Sequence, residues 1–332
     1  MDTTGKRLGR LALALIGGVV GLVVGWVLFV DFGGTTGRIL GVLLALAVGI
    51  LGLRTAGNLA ENVLAPYNVA EVAVEGPITR DGGSPLPTQP GGVPADAVVE
   101  QIEQADEDRN ADALVVRLNT PGGEVVPSED IRDAAAAFDG PTVAYATDTC
   151  ASGGYWIASG CDHVVSREGS IVGSIGVIMS NVNAKELADK VGLEYERIAA
   201  GDYKDAGMPL KEFTEDEREY LQGIADEYYE QFVERVTAGR DLNPETVRET
   251  EARVFLGPEA KDRGLVDELG DEETVEDYLE TELGRPVETR EFVPPTSPVE
   301  RLRGGAASVA YAFGAGVASV LGSDGASGFR LR

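Results

Sequence analysis

A serine and a lysine, Ser152 and Lys204, are the side chains of this sequence best suited to nucleophilic chemistry. Ser152 lies in Thr149-Cys150-Ala151-Ser152-Gly153-Gly154-Tyr155-Trp156, and Lys204 follows 52 positions later in Gly201-Asp202-Tyr203-Lys204-Asp205. A serine needs a base to become a nucleophile, and the chain has one histidine, His163. A lysine can replace histidine if burial lowers its pKa enough to leave it neutral. Lysine is scarce in this chain, so one in a Gly/Asp-rich, loop-like segment is unexpected. The lysines are Lys6, Lys185, Lys190, Lys204, Lys211 and Lys261.

Two further segments could support a nucleophile. Asn119-Thr120-Pro121-Gly122-Gly123 follows an apolar run and precedes a helical pattern. Its glycines allow close approach of the backbone, and free amides there could donate to an oxyanion. Ser174, in Gly173-Ser174-Ile175-Gly176, could orient a neutral lysine. These two segments and that of Ser152 also have purely structural interpretations: a strand-to-helix turn, a satisfied strand serine at Ser174, and an N-cap at Ser152.

Other chemistries have weaker support. A Ser152–His163 pair and a Cys150–His163 pair remain alternatives on residue type alone. One histidine and two cysteines, Cys150 and Cys161, make a poor set of metal ligands, so we expect neither a metal nor another cofactor. The cysteines could form a disulfide only if their Cα atoms came within about 7 Å, and we expect buried free thiols.

The elements that must position these residues alternate between strands and helices from about Val69, which predicts an α/β domain with a largely parallel sheet. Strands are predicted at Val69 to Val74, Ala113 to Leu118, Thr142 to Ala146, His163 to Ser166, Ile171 to Met179 and Glu194 to Ile198. Helices are predicted at Ala95 to Ala105, Pro127 to Phe138, Ser152 to Ser159, Ala184 to Val191 and Thr214 to Val236.

The N-terminal end has two apolar runs, Leu11 to Val30 and Ile39 to Leu53, separated by a polar turn. About 20 apolar residues span a bilayer, so the runs predict a helical hairpin anchor within residues 1–60. A cleaved signal peptide is the alternative for the first run. Lys6, Arg7 and Arg10 favour a cytoplasmic N-terminus. Two full crossings return the chain to the cytoplasm, whereas a re-entrant second run leaves the following domain outside.

The charge balance limits the partners. The chain has 55 acidic and 28 basic residues and a net charge of -27, which argues against binding nucleic acid through its phosphates. The acids are spread along the chain and predict a hydrated surface adapted to high salt. Recruitment of a basic partner is the alternative.

The chain after the anchor divides into a folded domain at 67–295 that contains the candidate residues and a weakly structured tail at 296–332. The tail could also contact the membrane or another subunit.

Taken together and in order, these motifs resemble the signal peptide peptidase A family of membrane-anchored serine peptidases, which is related to the Clp protease and crotonase folds. The resemblance runs from about Val69 to Leu269 and includes Leu118 to Gly123, Ala151 to Trp156, Gly173 to Ile178, Tyr203 to Asp205 and Gly264 to Leu269. Thr120 replaces a more usual serine, and the double apolar run replaces the commoner single anchor.

The resemblance implies a crotonase- or Clp-protease-like α/β domain that hydrolyses hydrophobic peptides, such as released signal peptides, through an acyl-enzyme. It implies Ser152 as nucleophile, Lys204 as general base, Ser174 as partner of the lysine, and backbone amides of Gly123 and Gly153 as the oxyanion hole. It further implies a ring-like homo-oligomer, in which serine and lysine meet across a subunit interface. It also favours an extracytoplasmic catalytic domain anchored to the cell membrane. An acyl-CoA enzyme of the crotonase type, a non-catalytic membrane scaffold, and a protease dedicated to one partner protein are the alternatives.

Overall fold

The computed structural model describes residues 3–29, 35–63, 65–83 and 92–293. Its helices are α1 (Thr3–Phe29), α2 (Thr35–Val63), α3 (Ala95–Glu107), α4 (Val125–Ala137), α5 (Gly153–Ala158), α6 (Lys185–Val191), α7 (Glu215–Arg240), α8 (Pro244–Arg248), α9 (Gly257–Asp262) and α10 (Glu272–Leu283). Its strands are β1 (Val69–Glu75), β2 (Ile78–Thr79), β3 (Val93–Pro94), β4 (Ala113–Thr120), β5 (Thr142–Ala151), β6 (His163–Ser166), β7 (Ile171–Gly173), β8 (Val254–Leu256), β9 (Glu268–Leu269) and β10 (Thr289–Glu291).

An eight-stranded sheet organises the described part of the domain. Its main order is β10-β1-β4-β5-β6-β9, and β7 joins it by pairing with the end of β5. These pairings are parallel, and only β8 runs antiparallel, against β7. The predicted α/β class with a largely parallel sheet is therefore confirmed. Because parallel strands present their carboxyl ends at one edge, this topology gathers the loops that follow β4, β5 and β7.

Alternating side chains of the strands fill two apolar layers. Val72, Val116 and Ala144 point into the larger layer, which α3, α4, α5 and the end of α7 cover. Val115 and Val143 belong to a smaller layer on Val275 and Leu279 of α10. Covering both faces explains why the strands read as continuous apolar runs.

Three predicted elements differ from the structure. β5 continues past Ala146 to Ala151, because its last three residues pair with β7 after its pairing with β6 has ended. The strand predicted from Ile171 to Met179 ends at Gly173, where the backbone turns to a positive φ of 117°. The strand predicted from Glu194 to Ile198 is wrong: these residues have no regular structure and Ile198 is 97% exposed.

α1 and α2 form an antiparallel hairpin. They contain spans of 22 and 20 residues, Leu8–Phe29 and Gly41–Ala60, that are long and apolar enough to cross a membrane. The second span is longer than the apolar run seen in the sequence. Small residues meet where the helices touch, with Gly21 against Gly49 and Gly25 against Ala45. Close packing through small residues is typical of helices that associate in lipid. The predicted tail at 296–332 lies outside the described residues.

Candidate active site

Thr120, Ser152 and Ser174 meet at the carboxyl edge of the sheet. Thr120 ends β4, Ser152 follows β5, and Ser174 follows β7. The register pairs Thr120 with Cys150 and Ala151 with Gly173, so Ser152 and Ser174 are the next residues of neighbouring parallel strands. The Ser152 amide donates a hydrogen bond to the Gly173 carbonyl at 2.9 Å. Residues that lie 22 positions apart in sequence are thus adjacent in space.

Ser152 occupies a strained turn between β5 and α5. Its φ of 52° and ψ of -120° lie outside the regions that L-residues usually adopt, and such strain is commonly held at functional sites. The Ser152 carbonyl accepts the first hydrogen bond of α5 from the Trp156 amide at 2.9 Å, while the hydroxyl makes no cap hydrogen bond. The N-cap interpretation of the serine hydroxyl is therefore wrong, and the turn leaves Oγ available for chemistry.

The amides of Gly123 and Gly153 lie close together beside this serine. Ile78 pairs with the glycine loop by donating to the Gly122 carbonyl and accepting from the Glu124 amide, so the Gly123 N–H points away from that pairing. The Gly153 N–H belongs to the first turn of α5 and has no partner within the helix. A Cβ built on Gly153 would lie 3.2 Å from the Gly123 nitrogen. This geometry supports a shared oxyanion site.

Thr120 holds the glycine loop in place. Its buried Oγ1 accepts a hydrogen bond from the Gly122 amide at 3.0 Å, and Gly122 has a φ of 89°. A Cβ on Gly122 would lie 2.5 Å from the Gly153 nitrogen and 2.8 Å from the Ser152 Cβ. The loop therefore lies against the serine turn with no room for a side chain. A serine at position 120 would supply the same acceptor, so this replacement leaves the loop intact.

A cavity of about 90 Å³ opens beside Ser152. Gly123 and Gly153 form its polar end, and Val125, Trp156, Val177, Ile178 and Phe232 give it apolar walls. Trp156 is fixed in this wall because its indole N–H donates to Glu129 Oε2, and Arg235 of α7 pairs with the other oxygen of Glu129 at 2.7 Å. The sequence pattern gave no indication of this cavity, because its wall combines residues from four separate elements.

Ser174 also has a positive φ, at 53°, and is half-buried. Its amide donates to the Arg253 carbonyl at 2.8 Å, which fixes the turn after β7. Among the described residues, its hydroxyl has no hydrogen-bond partner. The interpretation of Ser174 as a satisfied strand serine is wrong, because β7 ends one residue earlier and the hydroxyl has no hydrogen-bond partner in the described part of the chain.

Lys204 is not part of the cavity beside Ser152 in the same chain. Its side chain is exposed and is not among the residues that line the cavity. The structure thus assembles Ser152, Ser174 and the two amides but does not bring Lys204 to them within one chain.

The alternative bases and nucleophiles are badly placed. His163 opens β6 opposite Val143, at the start of β5, whereas Ser152 follows the other end of that strand. At about 3.3 Å per residue, this separation is on the order of 25 Å or more. Cys150 and Cys161 are buried free thiols, as predicted, and burial raises the pKa of Cys161 to about 12 and that of Cys150 further. Neither thiol is poised to form a thiolate nucleophile.

Comparison with known proteins agrees with the motif order. The sequence profile described as Peptidase family S49 matches residues 136–284. A candidate protease of Synechocystis is 39% identical over 215 residues, covering 63% of this chain and 77% of that protein. A protein of Enterococcus faecium named as the signal peptide peptidase SppA is 32% identical over 186 residues, covering 55% of this chain and 54% of that protein.

A solved structure of a serine-to-alanine variant of a membrane-bound stomatin-specific protease superposes with a TM-score of 0.43 and 17% identity. It covers 69% of this chain and 99% of that one. With the profile covering the Ser152 and Lys204 segments and the Synechocystis protein aligned over most of its length, the chain belongs to peptidase family S49.

Proposed function

We propose that this protein is a serine endopeptidase that hydrolyses hydrophobic peptides through an acyl-enzyme formed on Ser152. The observation that carries the proposal is the serine turn: a strained Ser152 with an uncapped hydroxyl lies beside the Gly123 and Gly153 amides at the mouth of an apolar cavity. A nucleophile next to converging N–H donors is the arrangement that acyl transfer requires. An acyl-CoA enzyme or a scaffold would have no use for the strained serine.

The general base of this proposal is Lys204 of a neighbouring subunit in a ring-like homo-oligomer. The segment from Ile178 to Lys204 projects as an arm with exposed apolar side chains, and we propose a second copy of the chain as its cover. The most exposed of these residues are Ile178, Val182, Val191 and Ile198, at 70 to 97%. Docking of this arm on a neighbour would bury the lysine and bring it to Ser152 of that neighbour.

The reaction then follows from the groups present. Neutral Lys204 takes the Ser152 proton as Oγ attacks the peptide carbonyl carbon, and the Gly123 and Gly153 amides stabilise the oxyanion. The lysinium gives that proton to the leaving amine as the C–N bond breaks, which leaves an ester on Ser152. Water hydrolyses the ester with the same lysine as base. Ser174, adjacent to Ser152, would hydrogen-bond the lysine amine and hold it neutral.

The cavity beside Ser152 indicates the class of substrate. Its apolar walls and volume of about 90 Å³ fit one small or medium apolar side chain of an extended peptide. Released signal peptides have this character, and a membrane anchor would place the enzyme near them. The substrate class proposed here is therefore hydrophobic peptides that leave the bilayer.

The test of this function is hydrolysis of a fluorogenic hydrophobic peptide in concentrated salt, combined with mass spectrometry of a trapped acyl-enzyme. Ser152→Ala should lose at least about 10³-fold in kcat and form no adduct, since the nucleophile is gone. Thr246→Ala, at an exposed hydroxyl of α8 outside the arm, is the control and should behave as the wild type. Wild-type hydrolysis by Ser152→Ala would contradict the proposal.

The hairpin leads to a proposal about the side of the membrane. Both spans are long enough for a full crossing, so the N-terminus and the peptidase domain would lie on the same side. Lys6 and Arg7 precede the first span and Arg10 lies near its start, whereas Arg38 is the basic residue of the connection between the spans. By the positive-inside rule we propose a cytoplasmic domain, in contrast to the extracytoplasmic side that the family resemblance favours.

Labelling of introduced cysteines tests this topology. The native cysteines are buried, so a membrane-impermeant maleimide should report only Asp31→Cys, between the spans, or Asp277→Cys, on the exposed face of α10. We expect Asp31→Cys to react in intact cells and Asp277→Cys to react only after lysis. Labelling of Asp277→Cys in intact cells would place the domain outside.

A further inference from the structure

Lys204 is flanked by two residues that are each held by side chains outside the loop 201–205. The ring of Tyr203 packs against the ring of Tyr220 on α7, with centroids 4.9 Å apart. Asp205 pairs with Arg197 at 2.9 Å and with Lys211 at 3.1 Å. The Lys204 side chain between them is exposed. The loop is thus held on both sides of the lysine while the lysine itself projects outward.

Arg197 makes the largest number of contacts that hold this loop. Its Nε donates to Asp205 Oδ2, and its Nη2 donates to the carbonyls of Gly201 and Asp202 at 3.3 and 3.2 Å. One guanidinium therefore ties the start of the loop to the residue after the lysine. The planar, multiple-donor geometry of arginine suits this task, and lysine could reproduce only part of it.

The loop is also connected to the helix that reaches the serine cavity. Lys211 pairs with Glu217, whose buried side chain forms the capping box of α7 with Thr214. The hydrogen bond from Arg197 and the pairing with Lys211 lower the pKa of Asp205 to about 2, so the carboxylate stays charged at working pH. The pairings of Asp205 and Lys211 thereby fix the lysine loop to the first turn of α7.

We infer that Arg197 and Asp205 are positioning residues that present Lys204 to the neighbouring subunit. This inference rests on the proposed function, because it assumes that Lys204 is the base. A lysine carried on an unsupported Gly/Asp-rich loop would sample many positions, and misplacement by about 1 Å can cost on the order of 10²-fold in rate. The contacts of Arg197 and Asp205, here called the clamp, fix the backbone on both sides of the lysine before the subunits meet.

The test compares Arg197→Ala, Arg197→Lys and Asp205→Asn with Arg248→Ala in the assembled full-length protein. Arg248 is the matched control, because it is an arginine that pairs with Glu230 of α7 away from the lysine loop. We expect Arg197→Ala and Asp205→Asn to lose at least about 10-fold in kcat with KM within about 2-fold. Arg197→Lys should recover part of the loss, and the control should match the wild type.

The pH profile separates positioning from general structural damage. The charged groups around the loop are Asp202 and Asp205 within it and Arg197, Lys211 and Glu217 packed against it. In the proposed mechanism activity rises with pH as the lysinium loses its proton. Removing the Asp205 charge destabilises a nearby lysinium, so this rising limb of the pH–activity curve should move to lower pH in Asp205→Asn. Removing the Arg197 charge has the opposite sign, so the limb should move to higher pH in Arg197→Ala.

Two results would overturn the inference. One is a kcat within about 2-fold of the Arg248→Ala control in both Arg197→Ala and Asp205→Asn. The other is a loss of kcat that accompanies a fall in melting temperature or assembly mass, with no shift of the limb. Lys204→Ala, measured alongside, separates the two proposals. If Lys204→Ala is inactive while Arg197→Ala and Asp205→Asn keep the kcat of the control, only this inference fails. Full activity of Lys204→Ala removes the proposed function as well.

Discussion

Lys204→Ala should abolish peptide hydrolysis, with a loss of at least about 10³-fold in kcat, while the protein folds normally. The side chain is exposed, so its removal costs the isolated chain little stability. In the proposed assembly it is the base that activates Ser152 and the acid that protonates the leaving amine, and both steps are lost. Lys204→Arg should be equally inactive, because a guanidinium stays protonated at working pH.

The matched control is Lys261→Ala. Lys261 lies in α9, outside the arm, and its side chain is exposed. Steady-state kinetics of the three variants, with circular dichroism to confirm folding, would show whether the loss is specific to Lys204. Equal activity of Lys204→Ala and Lys261→Ala would remove the lysine from the mechanism.

Gly123→Ala should reduce kcat by about 10²- to 10³-fold, the usual cost of losing one oxyanion donor. A methyl group at this position would overlap with the Ile78 carbonyl oxygen, which is backbone and cannot rotate away. The Ile78 pairing must open, and the Gly123 N–H must leave its position beside Gly153. The binding of substrate in the ground state depends less on this amide, so KM should change much less than kcat.

Gly169→Ala is the control for this substitution. A Cβ at Gly169 would meet nothing within 4 Å, so the variant tests the effect of adding a methyl group where there is space. Activities should be compared below the melting temperature of each variant, because opening the Ile78 pairing also lowers stability. If Gly123→Ala hydrolyses peptide as fast as Gly169→Ala, the Gly123 amide is not an oxyanion donor.

The sequence predicted the parts of the fold that depend on local pattern. The strands that begin at Val69, Ala113, Thr142 and His163 are apolar because both faces of the sheet are covered, and the Thr214 capping box marks the start of α7. Pairings between strands that are distant in sequence produce no local pattern that predicts them. β8, β9 and β10 are two- or three-residue strands that exist only through their neighbours, so no periodicity revealed them.

The candidate site was predictable to a similar extent. Residue types and motif order pointed to Ser152, Ser174 and the glycine loop, and the sheet register places these three together. The positive φ of Ser152 could not be predicted from the sequence, because a serine before a helix is equally typical of an N-cap. The proposed meeting of Lys204 with Ser152 across a subunit interface came only from the family resemblance, since spacing within one chain carries no information about contacts between chains.

In the proposed assembly the nucleophile and the base come from different subunits. The most direct test is to dissociate and reassemble Ser152→Ala together with Lys204→Ala and to measure hydrolysis against each variant reassembled alone. A mixed assembly contains interfaces with an intact Ser152 from one subunit and an intact Lys204 from its neighbour. We predict that each variant alone is inactive and that the mixture regains part of the wild-type rate. Subunits that demonstrably exchange yet remain inactive would contradict a dyad shared between neighbours.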